Sequence, residues 1–230
     1  MKRISLLLSG IVLLAAFLAK CGPSEIDLAG QAFIVTQGGT NIKLGSVDIR
    51  AIEEPLIPSF IEHKKEYAST EIEKLKTRHA ALVLEYKPLD EAAHKAADLW
   101  ASHGYGDNRF FTESNEANEK VNAKQVELNL LEAGIQRFFH GAYWIEGMPL
   151  PVQVAKTDAD GNFILRLKPG RYALAAEARR KISDETEEYS WFIWVEVRKK
   201  NQERLFLTND NLFETFSVNC VVKPADLPLK

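Results

Sequence analysis

The sequence predicts an α+β protein: an antiparallel β-sandwich interrupted by a long inserted antiparallel helical hairpin. Two observations carry this. Over residues 27–54 and again over 142–222, apolar residues alternate with polar ones, as in strands with one buried face. Between these stretches, over residues 58–140, apolar residues recur every three or four positions, as on one face of a helix. A hairpin returns the chain close to where it left, so it fits between two strands without breaking a sheet.

The first strands are short. Ala32-Phe33-Ile34-Val35 is an aromatic and β-branched run, Gln37-Gly38-Gly39-Thr40 is a turn signal, and Ile42 and Leu44 alternate with polar neighbours. After Gly45, Val47 and Ile49 alternate with Asp48 and Arg50.

The helical block opens at Pro58, with Ser59 and Glu62 spaced as a capping box. Ile61, Ala68, Ile72, Leu75, Leu82 and Tyr86 then share one seam, with Lys65 and His79 at its two polar positions. Pro88 is expected to end this helix, because it lacks an N–H and clashes with the preceding turn. A connector helix from Asp90 presents Ala92, Ala93, Ala96, Ala97 and Trp100, and residues 103–108 are a break. Ala117, Val121, Leu128, Leu131, Ile135 and Phe138, with Lys124, form the second seam. Two long helices of matching seams pack like a coiled coil, and each is expected to be about 40 Å long.

From Ala142 the strands return. Residues 157–162 are expected to be a tight hairpin turn, since Asp160-Gly161 suits a positive φ. Phe163, Leu165 and Leu167 alternate inward. A Pro169-Gly170 turn follows, then Tyr172, Leu174, Ala176 and Ala178. Trp191, Ile193, Val195 and Val197 make one face of the next strand, with Phe192 and Trp194 on the other. Leu205-Phe206-Leu207 closes the set, and residues 223–230 are expected to be a loose tail.

Asp158-Ala159-Asp160-Gly161-Asn162-Phe163, then Leu165, Leu167, Pro169-Gly170 and Tyr172, resembles the core of the carboxypeptidase regulatory-like domains. These are small prealbumin-like (transthyretin-like) β-sandwiches. The opening strand and Gly-x-Val-x-Val segment that such domains place just before this core stand about a hundred residues earlier, at Gly30 to Phe33 and Gly45-Ser46-Val47-Asp48-Ile49. The resemblance implies one discontinuous sandwich, 27–54 with 142–222, around an inserted arm, 58–140.

Met1-Lys2-Arg3 followed by an apolar run from Ile4 to Ala19 reads as a secretory signal, and the run is short for a permanent membrane span. Leu18-Ala19-Lys20-Cys21 resembles the lipobox of bacterial lipoproteins, which implies residues 1–21 as a signal and Cys21 as the lipidated residue; Lys20 departs from that pattern. The expected destination is the periplasm or a membrane held through that lipid. An unlipidated Cys21 would instead be available to pair with Cys220. Net charge is −3 with both signs interspersed, so there is no basic field for nucleic acid.

No catalytic constellation, cofactor site or metal site is expected. His63 and Glu66 spell the His-x-x-Glu of metallocarboxypeptidases, which makes a metal-dependent hydrolase the alternative, but they sit on a helical arm and need a third ligand, for which His140 is the candidate. Glu91 and His94 have the spacing of one half of a di-iron site, with no second copy. Asp158, Asp160 and Asn162 open like a calcium loop whose twelfth position is Pro169 rather than glutamate. Ligand binding points to Trp194 and Phe192, for a sugar or a peptide, and to Asn209 and Asp210 in the polar run after the last strand. The function expected is therefore non-enzymatic: a binding or assembly module whose arm meets a protein partner or acts as a spacer.

Overall fold

The computed structural model describes residues 24–103, 108–200, 202–213 and 219–228. The export segment, Cys21 and most of the expected break after His103 lie outside the described residues. The chain forms two compact units. One ends at Ile57 and resumes over Pro149–Val221; the other is Pro58–Met148 with Val222–Lys230. The class is α+β, with two sheets and a helical pair inserted between the third and fourth strands.

The first unit holds β1 (Ile26–Val35), β2 (Asn41–Lys43), β3 (Asp48–Glu53), β4 (Gln153–Lys156), β5 (Asn162–Leu167), β6 (Gly170–Ile182), β7 (Glu185–Val197) and β8 (Leu205–Leu207). In one sheet β1 pairs β2, β5 and β8; the other runs β4-β3-β6-β7. The expected alternation sets the core. Leu28, Phe163, Leu165, Leu167, Leu174, Trp191, Ile193, Val195 and Val197 all belong to one buried cluster. At Gly30 an added Cβ would meet the Phe163 ring, so only glycine leaves room for that ring across the β1–β5 pair.

Two details differ from expectation. β8 lies parallel to β1, with Gly30 opposite Leu205 and Ala32 opposite Leu207, so the sandwich is not wholly antiparallel. Residues 157–162 do turn tightly, yet they do not close a hairpin: β4 pairs β3 in one sheet while β5 pairs β1 in the other. The turn is held from within. One oxygen of Asp158 accepts from the backbone N–H of Asp160 and of Asn162, at 2.9 and 2.8 Å, and the Asn162 amide also bonds the carboxylate. These bonds, the Asn162 N–H first, with Lys43 adding to them, hold the Asp158 carboxyl below the ordinary carboxylate range. Any stability they supply is complete above the ordinary carboxylate pKa and is lost as pH falls through the depressed one. Gly161 has φ +77°, and its Cα faces the carbonyl of Ala32 so closely that no Cβ fits. Asp158 is thus committed to its own turn, and Asp160 is paired with Lys43.

The second unit holds α1 (Ile57–Ser102), α2 (Asn108–Gln136) and α3 (Gly141–Ile145). At 46 and 29 residues, the long helices span about 69 and 44 Å. They run antiparallel, as the pairs Lys124–Glu85 at 3.0 Å, His79–Glu132 at 3.2 Å and Trp100–Phe111 at 5.1 Å record. Of the polar seam residues, Lys124 and His79 thus reach acids on the facing helix instead of entering an apolar core. Pro88 does not end the first helix; it lies inside α1, which absorbs the expected connector helix. α1 also begins at Ile57, ahead of the Ser59–Glu62 pair, with Pro58 in its first turn, where a missing N–H leaves no bond unmade.

Residues 142–145, expected at the start of the returning strands, lie in the short helix α3, and Trp144 there donates Nε1–H to the carbonyl of Phe138 at 3.1 Å. Phe138 packs with Ala68 and Ile72, supported by Leu75, Ile135, Phe139 and Tyr143. Beside it, Lys64 Nζ donates to the Tyr143 carbonyl at 2.8 Å and the Tyr143 hydroxyl donates to the Lys64 carbonyl at 2.7 Å. Burial lowers the Lys64 pKa and pushes the Tyr143 hydroxyl up to about 12. The tail expected to be loose has a 3-10 turn at Pro224–Asp226, and Pro228 is buried.

Candidate functional site

Trp194 stands on β7, on the face away from the sandwich core, because Ile193 and Val195 point inward. It is half-buried. The guanidinium of Arg171, on the neighbouring strand β6, lies 4.5 Å from its ring and also bonds Glu54 at 2.7 Å. A cation over an indole, itself held by a carboxylate, fixes the ring's orientation. The backbone N–H of Trp194 donates to the carbonyl of Asn219 at 2.7 Å, so the edge of β7 is occupied at this point.

Beside Trp194 opens a cleft of about 420 Å³, within the range of small-molecule sites. Glu196, Arg198, Gln202, Glu203, Arg204 and Asn219 line it with Trp194, Leu28, Val195 and Leu205. The groups are ordered among themselves. Glu196 and Arg198 pair at 2.5 Å, and the Arg198 N–H donates to Gln202 Oε1 at 2.9 Å. Arg204 bonds Asn162 Oδ1 and lies 5.7 Å from the Phe206 ring. The Arg198 bond and charge hold the Glu196 carboxyl below the usual carboxylate range. Two carboxylates, two guanidinium groups and two amides beside one indole offer donors and acceptors to a hydroxyl-rich ligand.

The other expected residues fall elsewhere. Phe192 has no exposed surface, so Trp194 is the aromatic residue of that pair that a ligand can reach. Asn209 bonds both the N–H and the C=O of Val35, at 2.7 and 3.2 Å, which extends the β1–β8 pairing by a side chain. The 3-10 turn Asn209–Asn211 is capped by Thr208, whose hydroxyl accepts from the Asp210 N–H. Asn209 and Asp210 therefore build a turn and do not line the cleft. His63 and Glu66 are exposed on α1, and among the described residues no group of three or more His, Cys, Asp or Glu is placed to hold a metal. His94 lies 3.8 Å from Asp90, one turn away on its own helix.

Sequence reasoning finds Trp194 and misses the polar side of the cleft. The signal for that side is the run Arg198-Lys199-Lys200-Asn201-Gln202-Glu203-Arg204, a dense polar connection between two apolar strands.

No family model matches the chain, and no curated protein matches it. Among solved structures, the chain is similar to a crystal structure from Pseudomonas aeruginosa whose description proposes carbohydrate binding. The identity is 11% and the TM-score 0.35, over 84% of this chain and 94% of that one. At that score the likeness transfers neither fold nor ligand.

Proposed function

We propose that the protein is a non-enzymatic binding module and that the cleft beside Trp194 takes a small, hydroxyl-rich ligand, a glycan segment. The observation that supports this is a half-buried indole, oriented by Arg171, among the residues that line a polar cleft. Stacking on the indole supplies affinity, and the Glu196, Arg198, Gln202 and Asn219 groups supply orientation. Calorimetric titration with neutral gluco- and chito-oligosaccharides tests it. Saturable binding is expected, and Trp194→Ala is expected to weaken it by roughly 30-fold or more, the effect of losing a central aromatic anchor. Trp194→Phe should retain part of the affinity. Absence of binding across the panel, or full affinity in the alanine variant, would sink the reading.

The proposal includes the setting: export directed by residues 1–21 and lipid on Cys21, which would hold the module at an envelope membrane. The residues that support it are the basic start, the apolar run to Ala19 and the cysteine that follows. Mass spectrometry of the mature protein is expected to find Cys21 at the N-terminus, carrying acyl chains; an unmodified cysteine or a different first residue would refute the lipid. The arm, Pro58–Met148, would then act as a spacer or as a contact for a protein partner.

A further inference from the structure

β6 and β7 are longer than the sheet that contains them. Their ladder runs from Gly170–Val197 to Ile182–Glu185, whereas β3 pairs β6 only from Tyr172 to Ala176. The far part of β6, residues 178–182, therefore has β7 on one side. On the other side, among the described residues, its backbone makes no hydrogen bond.

The reason lies in the chain that leads into β3. Ser46 has φ +62°, and its N–H bonds the Thr157 carbonyl at 3.0 Å. The Val47 N–H bonds Thr157 Oγ1 at 2.8 Å, and that buried hydroxyl donates to the Leu44 carbonyl at 2.7 Å. Residues 44–47 are thus tied to Thr157, at the end of β4, and turn away from the line that β3 would follow along β6. A cavity of about 340 Å³ opens beside the part of β6 that β3 does not reach, between residues 42–47 and 177–180.

The exposed part of β6 is basic and the strand facing it is acidic. Arg179 pairs Glu188 at 3.0 Å and Arg180 pairs Glu187 at 3.6 Å, while Lys181 stands opposite Thr186 and has no acid across the ladder. Arg179 keeps 76% of its side chain exposed. Opposite charges directly across a ladder specify a strand partner. β7 shows which partner β6 accepts: an antiparallel strand with carboxylates opposite its cations.

We propose that the open edge of β6, residues 178–182, takes up an extended acidic peptide of a partner protein as an added antiparallel strand. The edge supplies backbone pairing over about 17 Å, Arg179 and Lys181 select carboxylates, and the cavity beside Glu177 to Arg180 admits the inward side chains. The site is separate from the cleft beside Trp194 and shares no lining residue with it.

The probe is a labelled peptide of the chain's own β7 tip, Asp-Glu-Thr-Glu-Glu-Tyr-Ser, residues 184–190, titrated into the whole protein by fluorescence anisotropy. Saturable binding that weakens with salt is expected, and no binding when the three glutamates of the peptide are lysines. Two further peptides are N-methylated on one or the other set of alternate residues. In a strand, alternate amides face opposite sides, so one methylated peptide should lose binding and the other keep it. Arg179→Glu with Lys181→Glu should abolish binding of the acidic peptide and allow the lysine peptide. Absence of binding would overturn the proposal and leave Arg179 and Lys181 as charges that guard an edge against pairing. Equal binding of both methylated peptides to the unmodified protein would also overturn it, because charge would then act without strand addition.

Discussion

Replacing Trp191 by alanine is expected to lower the stability of the sandwich by about 3–5 kcal/mol, the range for deleting a large aromatic side chain from a packed core. Trp191 is fully buried on the inward face of β7, between Tyr189 and Ile193, and its ring lies 6.2 Å from that of Tyr189. It belongs to the cluster that joins the two sheets. Its role is also polar: Nε1–H donates to the Thr208 carbonyl at 3.0 Å. Thr208 caps the turn whose Asn209 extends the pairing at the end of β1, so the indole ties β7 to the turn that follows β8. Trp191→Phe separates the two roles. It keeps most of the apolar contact and leaves the Thr208 carbonyl without its donor, a loss of about 1–3 kcal/mol. Denaturant unfolding followed by tryptophan fluorescence and by helical dichroism checks both variants. A loss below about 1 kcal/mol for the alanine variant would mean that the core does not depend on this residue.

The strands were legible because their signal is local. Alternation at Phe163-Leu165-Leu167 and at Trp191-Ile193-Val195-Val197 names the inward residues without knowledge of any partner. The choice of partner is not local. The residues at 157–162 specify a tight turn through Asp158 and Gly161, but nothing in them says that β4 continues along β3 while β5 crosses to β1. The same limit hid the parallel placement of β8, which depends on where β1 lies. The candidate cleft was half legible. Trp194 stands out as an aromatic residue on the wrong face of a strand; Arg171 and Asn219 reach it only through strand register and chain return. Asn209 misled in the opposite direction. A polar run after a strand reads equally as a site or a turn, and only the Val35 backbone it bonds decides between them.

Pro88 reads as a helix end on its own chemistry, and α1 overrides that chemistry by its seam. Ile61, Lys65, Ala68, Ile72, Leu75, His79, Leu82, Tyr86, Leu89, Ala93, Ala96 and Trp100 alternate steps of four and three without interruption, and each is buried or half-buried. A chain that ended at Pro88 and restarted would have no reason to keep this phase, so the unbroken register is the signal that one helix spans the proline. Pro88 is exposed, off the seam, and Leu84, four residues before it, has 71% of its surface in solvent. Water can then bond the carbonyl that the missing N–H leaves unpaired. The helix persists because packing along the seam outweighs the local penalty, about 3 kcal/mol for proline against alanine in a helix interior. Pro88→Ala is accordingly expected to stabilise the helical unit, by about 1–3 kcal/mol, since it restores the bond to the Leu84 carbonyl and removes the ring. Thermal unfolding of the whole chain followed at 222 nm should show a higher helical midpoint. An unchanged or lower helical midpoint would mean that the proline costs the helix nothing in this setting.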